Sequence, residues 1–171
     1  VRYIFIIIAL FLMSSKSYPQ NTQVTSFSES KEFLLVIHKS HPVTFYCGCS
    51  YKDNKPNLSS CGYIPKKDKK RANRIEWEHV VPAHAFGKSF SEWKNGRPKC
   101  FKRNGKKFKG RQCAKKISVE YRLMQADMYN LYPTIGEVNA LRSNYSMDLI
   151  KGEDRDFGKC DIEIRNGTIE P

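Results

Sequence analysis

The sequence predicts a single α+β domain stapled by disulfides, and three observations lead there. Its 171 residues suit one compact domain around one core and leave no room for a second. Helix-like and strand-like patterns interleave along the chain, with no internal repeat and no low-complexity segment. Six cysteines, Cys47, Cys49, Cys61, Cys100, Cys113 and Cys160, all follow an N-terminal apolar run.

That run covers residues 3–13, follows Arg2, and precedes Ser15-Lys16-Ser17, a small-x-small pattern suited to signal peptidase. Residues 1–17 are therefore expected to be a signal peptide, which places the protein in the periplasm or outside the cell. A membrane span needs about 20 apolar residues, so no span is expected in the mature chain.

Residues 18–27 are polar and expected to be flexible. Ser28 to Ser30 offer N-caps for a helix reaching about His38, with Phe33, Leu34 and Ile37 as its apolar face, and His41-Pro42 ends it. Residues 43–47 are β-branched and aromatic enough for a strand, and 51–60 read as loop. The best strand pattern is 74–81, with Ile75, Trp77, His79 and Val81 on one face and Arg74, Glu76, Glu78 and Val80 on the other. Pro82 interrupts it. A helix is expected over 83–93, with Phe86 and Phe90 opposite His84, Lys88 and Glu92.

Glycines at 96, 105 and 110 make residues 94–116 a loop or irregular hairpin. That is long for a structureless connector and so points to function. Residues 117–121 read as extended and 123–131 as helical, with Met124, Met128 and Leu131 facing a core. Pro133 and Gly136 break what precedes them, and 160–164 read as a strand.

An even cysteine count in an exported chain reads as a disulfide framework. Cys47-Gly48-Cys49 lacks the two-residue spacer of a zinc knuckle and no histidine pair follows, which disfavours structural zinc. The sequence selects no pairing; Cys49 with Cys61 and Cys100 with Cys113 are guesses from proximity.

The formal charge is +13, and removing Arg2 and Lys16 with the signal lowers it by two. Residues 94–116 hold eleven lysines and arginines and no acid, interleaved with Phe101 and Phe108. A second cluster comprises Lys66, Lys67, Lys69, Lys70, Arg71 and Arg74. One such cluster is ordinarily a solvated loop; two flanking one chemical motif point to a polyanion-binding surface. No amphipathic basic helix favours lipid.

That motif is Arg74-Ile-Glu-Trp-Glu-His-Val-Val-Pro-Ala83. Hydrolysing a phosphodiester requires a base for water and a cation for the phosphate charge and leaving oxygen. Carboxylate or amide oxygens suit Mg²⁺, and an imidazole suits a base at neutral pH. Glu78 and His79 are adjacent, so a regular strand would point them apart; the strand must end or distort there for both to serve one site. Alone, a Glu-His pair is a weak signal.

Several further strings occur in order: Phe45-Tyr-Cys-Gly-Cys49, Ser60-Cys-Gly-Tyr63, Asn130-Leu-Tyr-Pro-Thr-Ile-Gly-Glu-Val-Asn139 and Arg142-Ser-Asn144. With the Glu-His motif, they resemble the endonuclease I family of bacterial periplasmic and secreted nucleases, over roughly residues 28–164. The resemblance implies a ββα-metal (His-Me finger) site in a disulfide-stapled domain spanning 28–171, short at its C-terminus beside members that continue into a further helical segment.

The resemblance implies that His79 is the general base and Arg97 contacts the scissile phosphate. Glu78 and Asn130 would hold one Mg²⁺, with Ca²⁺ or Mn²⁺ able to substitute in binding. DNA and RNA are the implied substrates, cut without sequence preference to 5′-phosphate products by a monomer. Lys94, Lys99, Lys102, Arg103, Lys106, Lys107 and Arg142 are the expected nucleic-acid contacts. Glu137, Asn139, Arg142 and Asn144 also read as framework residues. The competing class is a cationic protein that coats nucleic acid without turnover. Its mark would be loss of Glu78, His79 or Asn130, and all three are present.

Overall fold

The computed structural model describes residues 21–96, 99–152 and 154–171; the expected signal peptide and Arg97 lie outside the described residues. Helix α1 (Phe27–Ile37) starts earlier than expected, because Ser26 is its N-cap and accepts from the Glu29 N–H at 3.1 Å. Ser30 and Leu34, one turn apart, are its buried residues, and Ser30 Oγ donates to the Ala126 carbonyl at 2.6 Å. Phe33 and Ile37, expected on the apolar face, are exposed instead. Upstream, the described part of the 18–27 segment touches the domain. Asn21 Nδ2 donates to Leu123 O at 3.1 Å, and Val24 is buried.

Residues 43–47 form a turn and not the expected strand, leaving one bridge between Val43 and Ser50. Thr44 Oγ1 donates to the Tyr46 carbonyl at 2.6 Å and accepts from the Cys49 N–H at 2.9 Å, while Cys47 and Gly48 both take positive φ. The Cys47–Cys160 and Cys49–Cys61 disulfides lock that turn. Within the expected loop over 51–60, strands β1 (Tyr51–Lys52) and β2 (Lys55–Pro56) make a small hairpin. A short α2 (Lys69–Ala72) precedes the central strand.

β3 (Ile75–His79) pairs antiparallel with β4 (Leu131–Ile135), Ile75 opposite Ile135 and His79 opposite Leu131. Pro133, expected to break structure, lies inside β4 opposite Trp77; a two-stranded ladder consists of edges, where a missing N–H is tolerated. Gly136 then opens α7 (Gly136–Arg142), where a Cβ would lie 2.7 Å from the Arg71 carbonyl oxygen, so the close approach to α2 requires glycine. Glu137 pins this junction, accepting from Tyr63 Oη at 2.7 Å and from the N–H groups of Lys67 and Asp68 at 2.5 and 2.6 Å. Burial pushes its carboxyl up, but these bonds outweigh it and hold the pKa below the ordinary value.

The chain between β3 and β4 builds a helical lobe. The single helix expected over 83–93 is two, α3 (Ala83–Gly87) and α4 (Ser91–Asn95). The Trp93 ring packs so tightly on Gly87 that a Cβ there would lie 2.4 Å from Trp93 Cε3, which folds the second helix back on the first. The basic segment ends in α5 (Arg111–Ile117), joined by the Cys100–Cys113 disulfide to the chain ahead of it.

The extended stretch expected over 117–121 is absent. Ser118 instead caps α6 (Val119–Gln125), accepting from the Tyr121 N–H at 3.0 Å. The helix expected over 123–131 stops at Gln125; a 3-10 turn, Met128–Asn130, leads into β4. Tyr121 sits at the lobe's centre with the rings of Phe86, Phe90 and Trp93 at 5.7, 5.6 and 5.9 Å.

The remainder forms a small sheet ordered β5 (Ser146–Met147), β7 (Thr168–Glu170), β6 (Glu163–Arg165), the last strand lying slightly beyond the expected 160–164. Asn166 and Gly167, both at positive φ, join β6 to β7 as the tight hairpin turn demands. The main core gathers Tyr46, Tyr63, Ile135, Val138, Phe157, Ile162 and Ile169 around the two N-terminal disulfides. Among the described residues no helix is long and apolar enough to cross a membrane.

Candidate active site

Strands β3 and β4 followed directly by α7 make a β-β-α unit whose open end carries the Glu-His pair. The regular ladder includes both Glu78 and His79 and stops at His79. Glu78 is 2% exposed, and both its hydrogen bonds fall on Oε1, from Tyr46 Oη at 3.1 Å and Arg142 Nη1 at 2.7 Å. Among the described residues Oε2 is left with its lone pairs. Burial raises the Glu78 pKa to about 7, against the opposing pull of Arg142 and Tyr46.

Arg142 was expected among the nucleic-acid contacts, and the structure corrects this. It is 1% exposed, and its guanidinium is occupied by Glu78, by the His79 carbonyl at 2.6 Å and by the Val80 carbonyl. A cation this deep must be paired, and here one side chain fixes three consecutive residues.

His79 is buried against the Phe27 ring, 5.0 Å between centroids, and its Nε2 lies 2.9 Å from the Gln125 carbonyl. A carbonyl only accepts, so Nε2 carries the hydrogen and Nδ1 keeps the lone pair. Burial lowers the imidazole pKa to about 4; the Gln125 carbonyl opposes this, while Arg111 and Arg142 add to it. The His79 imidazole is thus neutral at neutral pH.

Asn130 stands just past the ladder. Its Oδ1 accepts from the Val81 N–H at 2.7 Å, its Nδ2 donates to the Val81 carbonyl at 3.0 Å, and its own carbonyl accepts from the Val80 N–H at 3.1 Å. Asn139, and not Asn130, is among the residues that line the cleft with Glu78 and His79; Asn130 belongs to the 3-10 turn Met128–Asn130 ahead of β4. The Asn130 amide oxygen has a second lone pair, and it and Glu78 Oε2 are hard donors of the kind Mg²⁺ prefers.

Glu78, His79 and Arg142 line a cleft of about 1020 Å³ whose other walls include Phe27, His84, Arg111 and Asn144. Lys94, Lys99, Lys102, Arg103, Lys106 and Lys107 lie on the adjacent lobe, exposed, and do not line the cleft. Four residues at the site were not singled out by sequence reasoning: Tyr46, Gln125, Phe27 and Arg111. Gln125 acts on His79 through its backbone carbonyl, which leaves no mark in side-chain identity. Arg111 was hidden among ten other cations within residues 94–116.

Comparison with known proteins places this architecture in one class. The endonuclease I family model matches residues 11–165, and the chain belongs to that family. It is 39% identical to an extracellular deoxyribonuclease of Aeromonas hydrophila, over 94% of this chain and 65% of that protein. It is likewise 39% identical to a periplasmic deoxyribonuclease of the same organism, over 89% and 61%. Endonuclease-1 of Buchnera aphidicola subsp. Acyrthosiphon pisum (strain APS) is 36% identical, over 99% and 63%. The chain therefore spans somewhat under two thirds of the length of these relatives.

Proposed function

We propose that the protein is a metal-dependent endonuclease of the periplasm or the extracellular space. It hydrolyses phosphodiester bonds in DNA and RNA without sequence preference, acts as a monomer, and leaves 5′-phosphate and 3′-hydroxyl ends. One observation carries this reading: the Gln125 carbonyl holds His79 with its Nδ1 lone pair available, in a cleft that Glu78 also lines.

In this mechanism His79 Nδ1 takes a proton from water as the water oxygen attacks phosphorus. The bond from phosphorus to the 3′ oxygen breaks, and that oxygen leaves with a solvent proton. Glu78 Oε2 and Asn130 Oδ1 would hold Mg²⁺, which when bound supplies positive charge to the phosphate and the leaving oxygen. Among the described residues no group of three or more His, Cys, Asp or Glu forms a metal cage. Two protein oxygens with water and substrate completing the shell is the arrangement typical of Mg²⁺ at phosphates. Exposed lysines and arginines on the adjacent lobe supply affinity for phosphates without reading bases.

The test is plasmid cleavage by the oxidised protein with Mg²⁺, beside EDTA and His79→Ala controls. Nicking and linearisation that both controls abolish support the proposal. A folded protein that retards DNA but leaves it intact in Mg²⁺ sinks it in favour of a binding-only relative. DNA affinity should fall with salt at a log–log slope of roughly −0.9 per phosphate neutralised.

A further inference from the structure

Outside the cleft, a groove of about 630 Å³ is lined by Lys102, Phe108, Lys109, Gln112, Lys115 and Lys116. It shares no lining residue with the cleft, although α5 serves both: Arg111 lines the cleft, while Gln112, Lys115 and Lys116 line the groove. All four lysines are exposed, and among the described residues none is paired with a carboxylate. Like charges gathered around one groove repel one another, and a bound polyanion relieves that repulsion.

The groove is built before anything enters it. The Cys100–Cys113 disulfide joins the basic loop to α5. The loop is itself a hairpin: Phe101 bridges Lys107, the Lys102 N–H donates to the Lys106 carbonyl at 2.8 Å, and the Phe108 N–H donates to the Cys100 carbonyl at 2.9 Å. Little ordering of the backbone remains to oppose binding.

Lysines alone would take any polyanion, and the aromatic rings narrow the choice. Phe108 is half-buried, with Lys116 Nζ 5.7 Å from its ring centroid. On the same hairpin Phe101, 40% exposed, has Lys107 Nζ at 5.8 Å. A flat ring beside an ammonium suits a nucleobase joined to a phosphate, because the base stacks while the phosphate meets the charge. In a duplex the faces of the bases are covered by their neighbours, so only an unpaired strand can use such a ring. The Gln112 amide both donates and accepts, so it can meet the edge of any base.

We infer that this groove is a second nucleic-acid site, which holds an unpaired strand with a base stacked on Phe108 and the flanking phosphates on Lys102, Lys109, Lys115 and Lys116. Its consequence for cutting rests on the nuclease reading: a strand tethered there is kept at high local concentration beside the cleft, which favours long single strands as substrates.

The experiment uses the oxidised protein in EDTA, so that nothing is cut. It measures binding of a labelled oligothymidylate, an abasic strand and a duplex of equal length across a salt series. Phe108→Leu keeps an apolar side chain but removes the flat ring. It should weaken oligothymidylate binding about tenfold, while abasic-strand and duplex binding change far less. Lys115→Gln combined with Lys116→Gln should make the oligothymidylate slope shallower by about 0.7 for each lysine removed. With Mg²⁺ restored, the rate on long single-stranded DNA relative to a short duplex should fall in Phe108→Leu.

Equal losses on all three ligands, or no loss on any, in folded Phe108→Leu would overturn the assignment. So would a wild type that binds the abasic strand as tightly as oligothymidylate, which marks a general polyanion site. If Phe108→Leu fails to fold, Phe108→Trp decides, since a larger ring should hold oligothymidylate at least as tightly; weaker binding in that folded variant contradicts stacking. If the wild type cuts nothing, the nuclease reading fails, and the binding ratios alone decide what the groove holds.

Discussion

Arg142, at the end of α7, reaches Glu78, at the end of β3, with Nη1 and Oε1 2.7 Å apart and both side chains 2% exposed. The same guanidinium holds the carbonyls of His79 and Val80, so the helix of the β-β-α unit sets the path of the strand end. Replacing it with alanine removes the donor to two carbonyls and leaves a buried carboxylate with the Tyr46 hydroxyl alone. Arg142→Ala should destabilise the fold by about 3–5 kcal/mol, read as a lowered urea midpoint. A midpoint equal to wild type would show that Glu78 finds other partners at no cost.

Glu78→Gln keeps the shape of the side chain while removing its charge. It should abolish Mg²⁺-dependent cleavage and reduce Mg²⁺ affinity by calorimetry, yet leave duplex binding in EDTA near wild type because no cation toward DNA is lost. Cleavage that persists at ordinary Mg²⁺ concentration would exclude Glu78 as a metal ligand.

The two buried titrating groups act oppositely on stability. His79 titrates near 4 in the fold against an ordinary 6.5, so the unfolded chain binds more protons between those values and stability falls as pH drops through that window. Glu78 titrates near 7 against an ordinary 4.5, so its contribution is present at low pH and is lost as pH rises from about 4.5 through 7. Thermal midpoints of Glu78→Gln and wild type over pH 4 to 8 separate the two, and the decline toward neutrality should vanish in the variant. In activity, the acid limb should lie near 7 at limiting Mg²⁺ and move lower as Mg²⁺ rises, since a bound cation favours the carboxylate. A limb independent of Mg²⁺ would contradict this.

The Cys47–Cys160 bridge has a sequence separation of 113, and it ties the turn that carries Tyr46 to the C-terminal sheet. By loop-closure entropy, the Cys47→Ser and Cys160→Ser pair should lose about 4–5 kcal/mol. Denaturant midpoints under identical conditions measure it, and a smaller loss than for the Cys49–Cys61 pair would run against the loop-length argument.

Local chemistry was most legible where one residue type has one use. The strand Ile75–His79 followed from the β pattern over 74–81, and the disulfide framework from the even cysteine count. The strand proposed over 43–47 failed because Thr44 side-chain bonds and two disulfides override β propensity, which pattern reading cannot weigh. The single helix over 83–93 failed because the Trp93 ring covering Gly87 is a tertiary contact. Arg142 read both as a nucleic-acid contact and as a framework residue, and the carboxylate and carbonyls around it decide for the second. Gln125 left no signal, since the atom that orients His79 is common to every residue.

The Asn130 amide and the Val81 backbone, joined by two hydrogen bonds, clasp the two ends of the whole helical lobe between β3 and β4. Everything beyond that clasp is a detour as seen from the strand ends. Insertions, deletions or a grafted module within the lobe should leave the open end of the ladder in register so long as the clasp closes and Gln125 still meets His79. The lobe is therefore the part of this fold most open to remodelling, provided that the residues it lends to the cleft, His84, Trp93 and Arg111, are kept.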